Sequence, residues 1–262
     1  LTRMIRPHVA VITAIEPAHT EFFSSIEDIA DAKAEIFLGL EPRGCAVLNR
    51  DNDQFERLQA AARAEGAGDI IAFGAHSDAD ARLIESDAGA DGSRVTADIC
   101  GKRVDYRIGA PGRHLVANSL AVLAAAGALG ADVARAAARL EDYVVPEGRG
   151  RRHPVALGKT GFDLIDESYN ASPASMQAAA ETLSTMQPGP GGRRIAVLGD
   201  MRELGAKCAD MHAALAPVLE AAGIELVFTA GAEMAHLEAA LPGALRGGHA
   251  ESAAEIAPVV AA

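Results

Sequence analysis

The stretch Gly161–Leu183, GFDLIDESYNASPASMQAAAETL, decides how the chain is interpreted. A short apolar run, Phe162 to Ile165, leads into the polar turn DESYNAS, and Pro173 then opens an alanine-rich segment with helical spacing. An apolar run, a polar turn and a proline at a helix start together indicate an α/β unit, in which ligands bind at the carboxyl ends of strands. The turn is therefore a candidate site, and the alternative is an ordinary helix cap formed by Ser172.

Strand and helix patterns alternate on both sides of this stretch. Apolar runs predict strands at 8–15, 44–49 and 69–73 in the first half and at 154–157, 162–165, 194–198 and 225–229 in the second. Helices are predicted between these strands. Shorter alternating segments between 81 and 108 predict a small antiparallel appendage. The predicted fold class is therefore α/β, with a mostly parallel sheet in the second half of the chain.

Composition narrows the classes of function. The 262 residues suffice for two ordinary domains, and the linker-like VVPEGRGRR at 144–152 places their boundary near Pro146, which gives domains at 1–146 and 147–262. The net charge of −12 argues against broad nucleic-acid binding, which needs a basic surface. Three widely separated cysteines and the lack of a long apolar run predict a cytoplasmic protein without a membrane span.

His19 and Lys33, near the start of the chain, are candidate functional residues because of their chemistry. His19 follows the first predicted strand, where a histidine serves either as a metal or phosphate ligand or as an ordinary surface residue. Lys33 falls on the apolar stripe of a helix predicted over 25–40, with Ser25 as its cap. A lysine on such a stripe either extends its charge to solvent or is buried as a nucleophilic amine with a lowered pKa.

Two common nucleotide-binding motifs do not occur in the sequence. The loop at 199–208 contains glycine and lysine, but not the Gly-Lys-Ser/Thr order that a phosphate-binding loop needs. No Gly-x-Gly-x-x-Gly pattern follows a predicted strand. This argues against a Rossmann-type oxidoreductase, an alternative that a lack of NAD binding would remove.

Seven segments together resemble the Mur ligases, ATP-dependent enzymes that form amide bonds in peptidoglycan assembly. Each segment is weak alone, but their order and separation are specific, and the resemblance covers nearly the whole chain. The segments are VITAIEPAHTEFFSS (11–25), AKAEIF (32–37), AVLNRDND (46–53), GRHLVANSLA (112–121), EGR (147–149), DESYNASPASM (166–176) and VLGDMRELG (197–205). The last two resemble the family member that joins D-alanyl-D-alanine to UDP-MurNAc-tripeptide.

The resemblance implies the later part of the family's central ATP-binding domain over 1–146 and a Rossmann-like C-terminal ligase domain over 147–262. It also implies that the UDP-binding N-terminal domain and the ATP phosphate loop lie outside the chain, so the chain alone is expected to be inactive. The implied partners are UDP-MurNAc-tripeptide and D-alanyl-D-alanine, the cofactors are ATP and Mg²⁺, and the protein is expected to be a monomer. The alternatives are another amino-acid ligase of this family and a non-catalytic nucleotide-binding module.

The resemblance further implies roles for individual residues. His19 and a carbamylated Lys33 would be the catalytic residues and the magnesium ligands. The implied nucleotide contacts are His114, Asn118 (in the first turn of a helix predicted over 115–129), Arg149 and Asp166. The residues implied in substrate binding or domain closure are Glu167, Tyr169, Asn170, Asp200 and Glu203, together with His212. Ser172 stands where the family often has Asn, and this change keeps a capping residue.

Overall fold

The structure is a computed structural model that describes residues 1–17, 21–89, 91–157 and 160–261. The chain divides into two units between Val144 and Val145. The first unit contains Leu1–Glu16 and Phe23–Val144, and the second contains Val145–Ala262 with the described residues of Pro17–Phe22. Among the described residues, none of the helices combines the length and the apolar composition that a membrane crossing requires.

A six-stranded sheet, with its strands in chain order, forms the centre of the first unit. The strands are β1 (Val9–Ile12), β2 (Cys45–Asn49), β3 (Asp69–Gly74), β4 (Ala81–Gly89), β5 (Gly92–Ile99) and β6 (Lys102–Ile108). The strands β1 to β4 pair in parallel, and β4, β5 and β6 pair antiparallel. The predicted antiparallel segments between 81 and 108 are therefore confirmed. They are not an appendage, because β4 pairs with β3 through Phe73 and Gly74 and so continues the same sheet.

Helices cover both faces of the parallel strands. They are α1 (Thr2–Ile5), α2 (Ile26–Ala34), α3 (Phe55–Ala64), α4 (Arg113–Ala128) and α5 (Val133–Arg139). Alternate residues of β2 belong to different hydrophobic clusters: Val47 packs with α4 and α5, whereas Leu48 packs with α2 and α3. Burial on both faces explains why these strands read as continuous apolar runs in the sequence. The Ser25 hydroxyl caps α2 by accepting the Asp28 N–H at 3.1 Å, which confirms the predicted cap.

A buried hydrogen-bond chain joins α4 to the antiparallel part of the sheet. The Ser119 hydroxyl donates to the Val116 carbonyl at 2.7 Å, so its oxygen is free to accept from the Tyr106 hydroxyl, also at 2.7 Å. Burial raises the pKa of Tyr106 to about 12, an effect that the Ser119 hydrogen bond partly offsets. The folded state therefore favours the neutral phenol, and stability falls as the pH rises from the ordinary tyrosine pKa of 10.0 toward 12.

The second unit contains a three-stranded parallel sheet and a separate hairpin. The sheet order is β11 (Arg246–Ala250), β10 (Leu226–Ala230) and β9 (Ile195–Gly199), and the antiparallel hairpin is β7 (Arg151–Leu157) with β8 (Thr160–Asp166). The helices are α6 (Pro173–Thr185), α7 (Cys208–Ala213), α8 (Leu215–Ala221), α9 (Met234–Ala240) and α10 (Ala253–Val260). The alternation of strands and helices confirms the predicted α/β class.

The strand that precedes the DESYN turn was predicted as part of a parallel sheet, but its pairing in the structure is antiparallel. It forms β8 of the hairpin and does not belong to the parallel sheet. Phe162 and Leu164 are 51% and 49% exposed, and Asp163 between them pairs with Arg152 across the hairpin at 2.7 Å. An alternation of apolar and charged residues is typical of a half-exposed antiparallel strand, whereas a buried parallel strand reads as an unbroken apolar run.

Ser119→Ala tests the buried hydrogen-bond chain. The substitution leaves the buried Tyr106 hydroxyl without its acceptor, so the free energy of unfolding should fall by about 1–3 kcal/mol. The measurement is urea unfolding of the chain, followed by circular dichroism. The double variant Ser119→Ala/Tyr106→Phe removes both partners and should be more stable than Ser119→Ala alone. Equal stability of Ser119→Ala and the unsubstituted chain would contradict this account.

Candidate functional site

The turn after β8 is tied to the linker that precedes the hairpin. The Asp166 carboxylate accepts the N–H groups of Gly148 at 3.1 Å and Ser168 at 3.0 Å. The Asp166 carbonyl accepts the Gly150 N–H at 2.7 Å, and the Tyr169 N–H donates to the Gly148 carbonyl at 3.1 Å. Hydrogen bonds from the Ser168 hydroxyl and N–H, and then from the Gly148 N–H, hold the pKa of Asp166 below its usual range. Asp166 therefore stays ionised and fixes both segments.

Two exposed side chains of these segments stack on each other. The guanidinium carbon of Arg149 lies 4.3 Å from the centroid of the Tyr169 ring, which is a cation–π contact. Glu167 lies close by, and partial burial of its carboxyl raises its pKa, an effect that Arg149 opposes and Asp166 reinforces. A cation and an aromatic face at one exposed position suit a planar, anionic ligand.

The backbone conformation and the close surroundings of residue 150 explain why a glycine lies between Arg149 and the hairpin. Its φ of +98° lies in the region that favours glycine, and a Cβ there would approach the Glu167 carboxylate to 2.9 Å. The Ser172 side chain and the Ser175 side chain cap α6 reciprocally, with Pro173 in the first turn, which confirms the predicted cap. The group formed by residues 147–150 and 166–170 is called the hinge cluster below.

The loop after β9 presents two adjacent charged residues at the carboxyl end of a parallel strand. Met201 and Leu204 are 1% and 2% exposed, whereas Arg202 and Glu203 between them are exposed. Arg202 was not among the site residues predicted from the sequence. The signal that could have found it is the pattern of two charged residues between two apolar ones, which forces the charged pair outward.

Asp200 in the same loop has a structural partner. Its carboxylate accepts the Met234 N–H at 2.9 Å, where α9 begins. A Cβ on Gly231 would lie 2.4 Å from the Asp200 carboxyl carbon, so the close approach requires glycine at 231. The carboxylate therefore satisfies a helix N-terminus, where an unpaired backbone N–H would otherwise remain.

Asparagines after β2 brace the segment that follows β1 in the first unit. The Asn49 side-chain amide donates to the Thr13 carbonyl at 2.8 Å, and the Asn52 amide donates to the Ile15 carbonyl at 2.9 Å. Each side-chain oxygen also accepts a backbone N–H two residues further on. The sequence predicted no role for these asparagines, because long-range hydrogen bonds leave no local pattern.

Asp51, between these asparagines, binds the segment on the other side. Its carboxylate accepts the N–H groups of Ala75 at 2.7 Å and His76 at 2.9 Å, just after β3. Since β2 lies between β1 and β3, the turn at 49–52 fixes the exits of both neighbouring strands. The carboxyl edge of this sheet, where α/β proteins bind ligands, is therefore braced by side chains.

Lys33 lies in the last turn of α2 and is exposed. The alternative of a buried amine is therefore wrong, and the alternative in which the side chain extends to solvent is confirmed. Its long side chain reaches solvent at the carbonyl end of the helix, where a positive charge is stabilised. A carbamate there would need a cation nearby to offset this preference. His19 lies outside the described residues, and among those residues no group of three His, Cys, Asp or Glu side chains could hold a metal ion.

His114 and Asn118 occupy one face of α4, since they are four residues apart. His114 is exposed and Asn118 is half-buried. The helix begins at Arg113, immediately after Gly112, so Asn118 lies in the second turn and its predicted first-turn position is wrong. Asn170, like Tyr169, is exposed after β8, and Glu203 has a φ of +61°, which is uncommon for a residue with a side chain.

The chain belongs to the Mur ligase family. Residues 1–126 match the family model of the Mur ligase middle domain. Residues 150–262 match the family model described as "Mur ligase, glutamate ligase domain". Residues 147–149 of the hinge cluster lie between these two matches, and residues 150 and 166–170 lie at the start of the second match. The family identification agrees with the resemblance found in the sequence motifs.

Individual relatives narrow the comparison. The chain is 34% identical over 229 residues to the UDP-N-acetylmuramoyl-tripeptide–D-alanyl-D-alanine ligase of Escherichia coli, covering 87% of this chain and 48% of that protein. It is similar to the crystal structure of MurF from Acinetobacter baumannii, with a TM-score of 0.86, 26% identity and coverage of 99% of this chain and 54% of the other. It shares its fold with MurF ligase from Thermotoga maritima in complex with ADP, with a TM-score of 0.75, 21% identity and coverage of 99% and 62%. The chain spans about half the length of the curated relatives it matches.

Asp166→Asn tests the hinge cluster. The amide keeps the size of the carboxylate but offers one acceptor oxygen instead of two, so one of the N–H groups of Gly148 and Ser168 loses its partner. Amide hydrogen exchange should accelerate by about tenfold at Gly148 or Ser168, as expected for the loss of about 1.4 kcal/mol.

The matched control is Asp163→Asn, which removes an exposed ion pair on the same strand. An exposed pair contributes little, so exchange at Gly148 and Ser168 should stay unchanged. Equal exchange in the Asp166 variant and the unsubstituted chain would show that the carboxylate does not hold the two segments together.

Proposed function

We propose that the protein containing this chain joins D-alanyl-D-alanine to UDP-MurNAc-tripeptide with hydrolysis of ATP to ADP. The observation that carries the proposal is the hinge cluster, in which an ionised Asp166 fixes Arg149 and Tyr169 at the start of a Mur ligase C-terminal domain. The relatives of matching sequence support the choice of substrates through their names. Because the chain covers about half of those relatives, the activity is proposed for the longer protein.

The proposed reaction has two steps that conserve atoms and charge. A carboxylate oxygen of the tripeptide attacks the γ-phosphorus of ATP, the bond to the β-phosphate oxygen breaks, and ADP leaves. The uncharged amine of D-alanyl-D-alanine then attacks the acyl carbon of the acyl phosphate, inorganic phosphate leaves, and the amine loses a proton as the amide forms. Holding the three reactants in line supplies much of the rate enhancement, and exclusion of water protects the acyl phosphate.

In the second unit, Arg149 and Asp166 are proposed to bind the nucleotide. The Arg149 guanidinium carries the positive charge that an anionic phosphate needs and donates through a planar fork. The Asp166 carboxylate has lone pairs beyond those used by Gly148 and Ser168, so it can also accept a hydroxyl of the ribose. Tyr169 is 70% exposed, which leaves its ring accessible beside Arg149.

In the first unit, Asn118 and His114 are proposed to contact the adenine. Among the described residues, no side-chain hydrogen bond engages the Asn118 amide, which therefore keeps a donor and an acceptor for a base edge. The remaining proposed contacts with substrate, or in closure, are made by Glu167, Asn170 and Glu203. The Asp200 carboxylate already pairs with a helix N-terminus, so its part in that role is proposed to be indirect.

Magnesium is proposed to be held with the help of His19 and a carbamate on Lys33, and when bound it offsets the repulsion between the substrate carboxylate and the triphosphate. The exposure of Lys33 leaves its amine accessible to carbon dioxide. The described residues alone do not complete such a site, so the remaining ligands must come from elsewhere in the longer protein or from the nucleotide. No step of the reaction is assigned to Lys33 beyond carrying this anionic group.

Phosphate release from ATP by the full-length protein tests the function. UDP-MurNAc-tripeptide and D-alanyl-D-alanine should both be required, and single amino acids should not replace the dipeptide. The 262-residue chain, assayed beside it, should release no phosphate above background. Turnover of the full-length protein only with a different amine would contradict the proposed substrate while leaving the family unchanged.

Lys33→Ala in the full-length protein tests the proposed carbamate. Loss of the anionic group should lower turnover by at least about 100-fold, and a short carboxylic acid added at high concentration should restore part of it. Lys207→Ala, in the second unit, serves as the control and should respond to neither change. Unchanged turnover in the Lys33 variant would remove the carbamate from the account.

A further inference from the structure

A cavity of about 260 Å³ lies at the amino edge of the six-stranded sheet, where β1, β2 and β3 begin. Val9, Cys45 and Ile71, one residue from each of these strands, line it together with Leu129 at the end of α4. The carboxyl edge, which carries the Asp51 turn, is the opposite edge of the sheet. Cavities for drug-sized ligands measure about 300–1,000 Å³, so this cavity suits a smaller molecule.

Charged side chains of both signs line this cavity. Asp69 and Asp80 contribute carboxylates, and Arg43 contributes a guanidinium. The Asp80 Oδ2 accepts the Ala72 N–H at 2.8 Å, which leaves its second oxygen able to accept from a ligand. In the described part of the chain, no hydrogen bond or ion pair engages the Arg43 guanidinium or the Asp69 carboxylate. All three groups can therefore bind a molecule that enters the cavity.

The thiol of Cys45 shows where the negative charge of the cavity acts. Burial, followed by the charge of Asp69 and more weakly that of Asp80, raises the pKa of Cys45 to about 11, against a backbone hydrogen bond from Ile71. Both carboxylates thus act on one point of the cavity wall. The carbonyl end of α4, which lines the cavity at Leu129, adds partial negative charge. This part of the cavity therefore favours a positively charged group such as an ammonium.

Two residues that line the cavity have a strained backbone. The φ angle is +67° at Arg43 and +51° at Cys100, in the region that favours glycine. Four non-glycine residues in the described part of the chain have a positive φ, so half of them lie at this cavity. Gly68 packs closely against the first, since a Cβ there would lie 2.6 Å from the Arg43 Cα. Such strain persists where the surrounding structure holds it, and it clusters at ligand sites.

We propose that this cavity binds a small zwitterionic amino acid. The Arg43 guanidinium binds the ligand carboxylate through its planar fork, and the carboxylates of Asp69 and Asp80 bind the ammonium. Leu129, which is 64% exposed beside the cavity, contacts a compact apolar side chain. Because the cavity lies at the amino edge of the sheet, the proposal does not depend on the ligase function.

Alkylation of Cys100 tests the proposal, because this exposed thiol lines the cavity. The full-length protein, without ATP, is treated with iodoacetamide at alkaline pH, and mass spectrometry follows the peptides of Cys100 and Cys208. D-Alanine and L-alanine are added separately, and at least one should bind with a dissociation constant on the order of 1 mM. At about ten times that concentration, alkylation of Cys100 should slow about tenfold, since only the empty cavity reacts. Cys208, in the second unit, should react at an unchanged rate.

Substitution of Arg43 identifies the site of binding. Arg43→Gln should weaken the protection by at least about tenfold, because a charge-assisted hydrogen bond is lost. The matched control is Arg63→Gln, an exposed position on α3 of the same unit, which should be protected like the unsubstituted protein. Propionate and ethylamine each carry only one of the two charges and should give no protection where alanine saturates. These two compounds test the proposal in the unsubstituted protein if Arg43→Gln fails to fold.

Three results would overturn the proposal. The first is unchanged alkylation of Cys100 with both enantiomers of alanine. The second is protection by propionate or ethylamine equal to that by alanine, which would show a site for a single charge. The third is full protection in a folded Arg43→Gln variant, which would show that alanine acts from another place.

Discussion

Both units depend on one constraint, which is that backbone N–H and carbonyl groups released where a strand or helix ends must find partners. Side chains supply those partners at several of the strand and helix ends that carry a signature motif. In the first unit, Asn49, Asp51 and Asn52 bind the segments that follow the neighbouring strands. In the second unit, Asp166 binds the linker and Asp200 binds the start of α9.

This constraint divides the polar residues of the motifs into two groups. Asp166, Asp200 and His212 hold backbone groups, and the geometry of the segments around them follows from those bonds. Arg149, Tyr169 and Arg202 are exposed at the positions that the first group fixes. A motif can therefore be needed for function although half of its polar side chains never touch a ligand, because an exposed side chain binds well only from a backbone that does not move.

The sequence predicted elements whose signal is local. The unbroken apolar runs at β1, β2 and β3, the caps Ser25 and Ser172 and the α/β class are all confirmed, because burial on both faces and capping leave direct patterns. Three elements escaped prediction because their pattern is weak: α1 has only four residues, β11 contains two consecutive glycines, and α10 contains a proline. The segment between β9 and β10 forms two helices, α7 and α8, which are separated at Ala214.

The candidate site was predicted less completely than the fold. Asp166 and Arg149 could be found because their motifs resemble a family, but the bonds between their segments join residues 18 positions apart and leave no periodic signal. The apolar stripe left burial and solvent exposure of Lys33 both open, and the structure shows exposure, because a long side chain at the end of a helix reaches water at little cost. Arg202 was missed because a single charged residue in a loop is ordinarily a solvated one.

The crystal structure of the full-length protein with bound ADP would test the division into holding and binding residues most directly. The account predicts that Arg149 and Tyr169 contact the nucleotide, while the Asp200 carboxylate still accepts the Met234 N–H and His212 still accepts the Met201 N–H. A nucleotide bound by Asp200 or His212, with those backbone bonds broken, would contradict it.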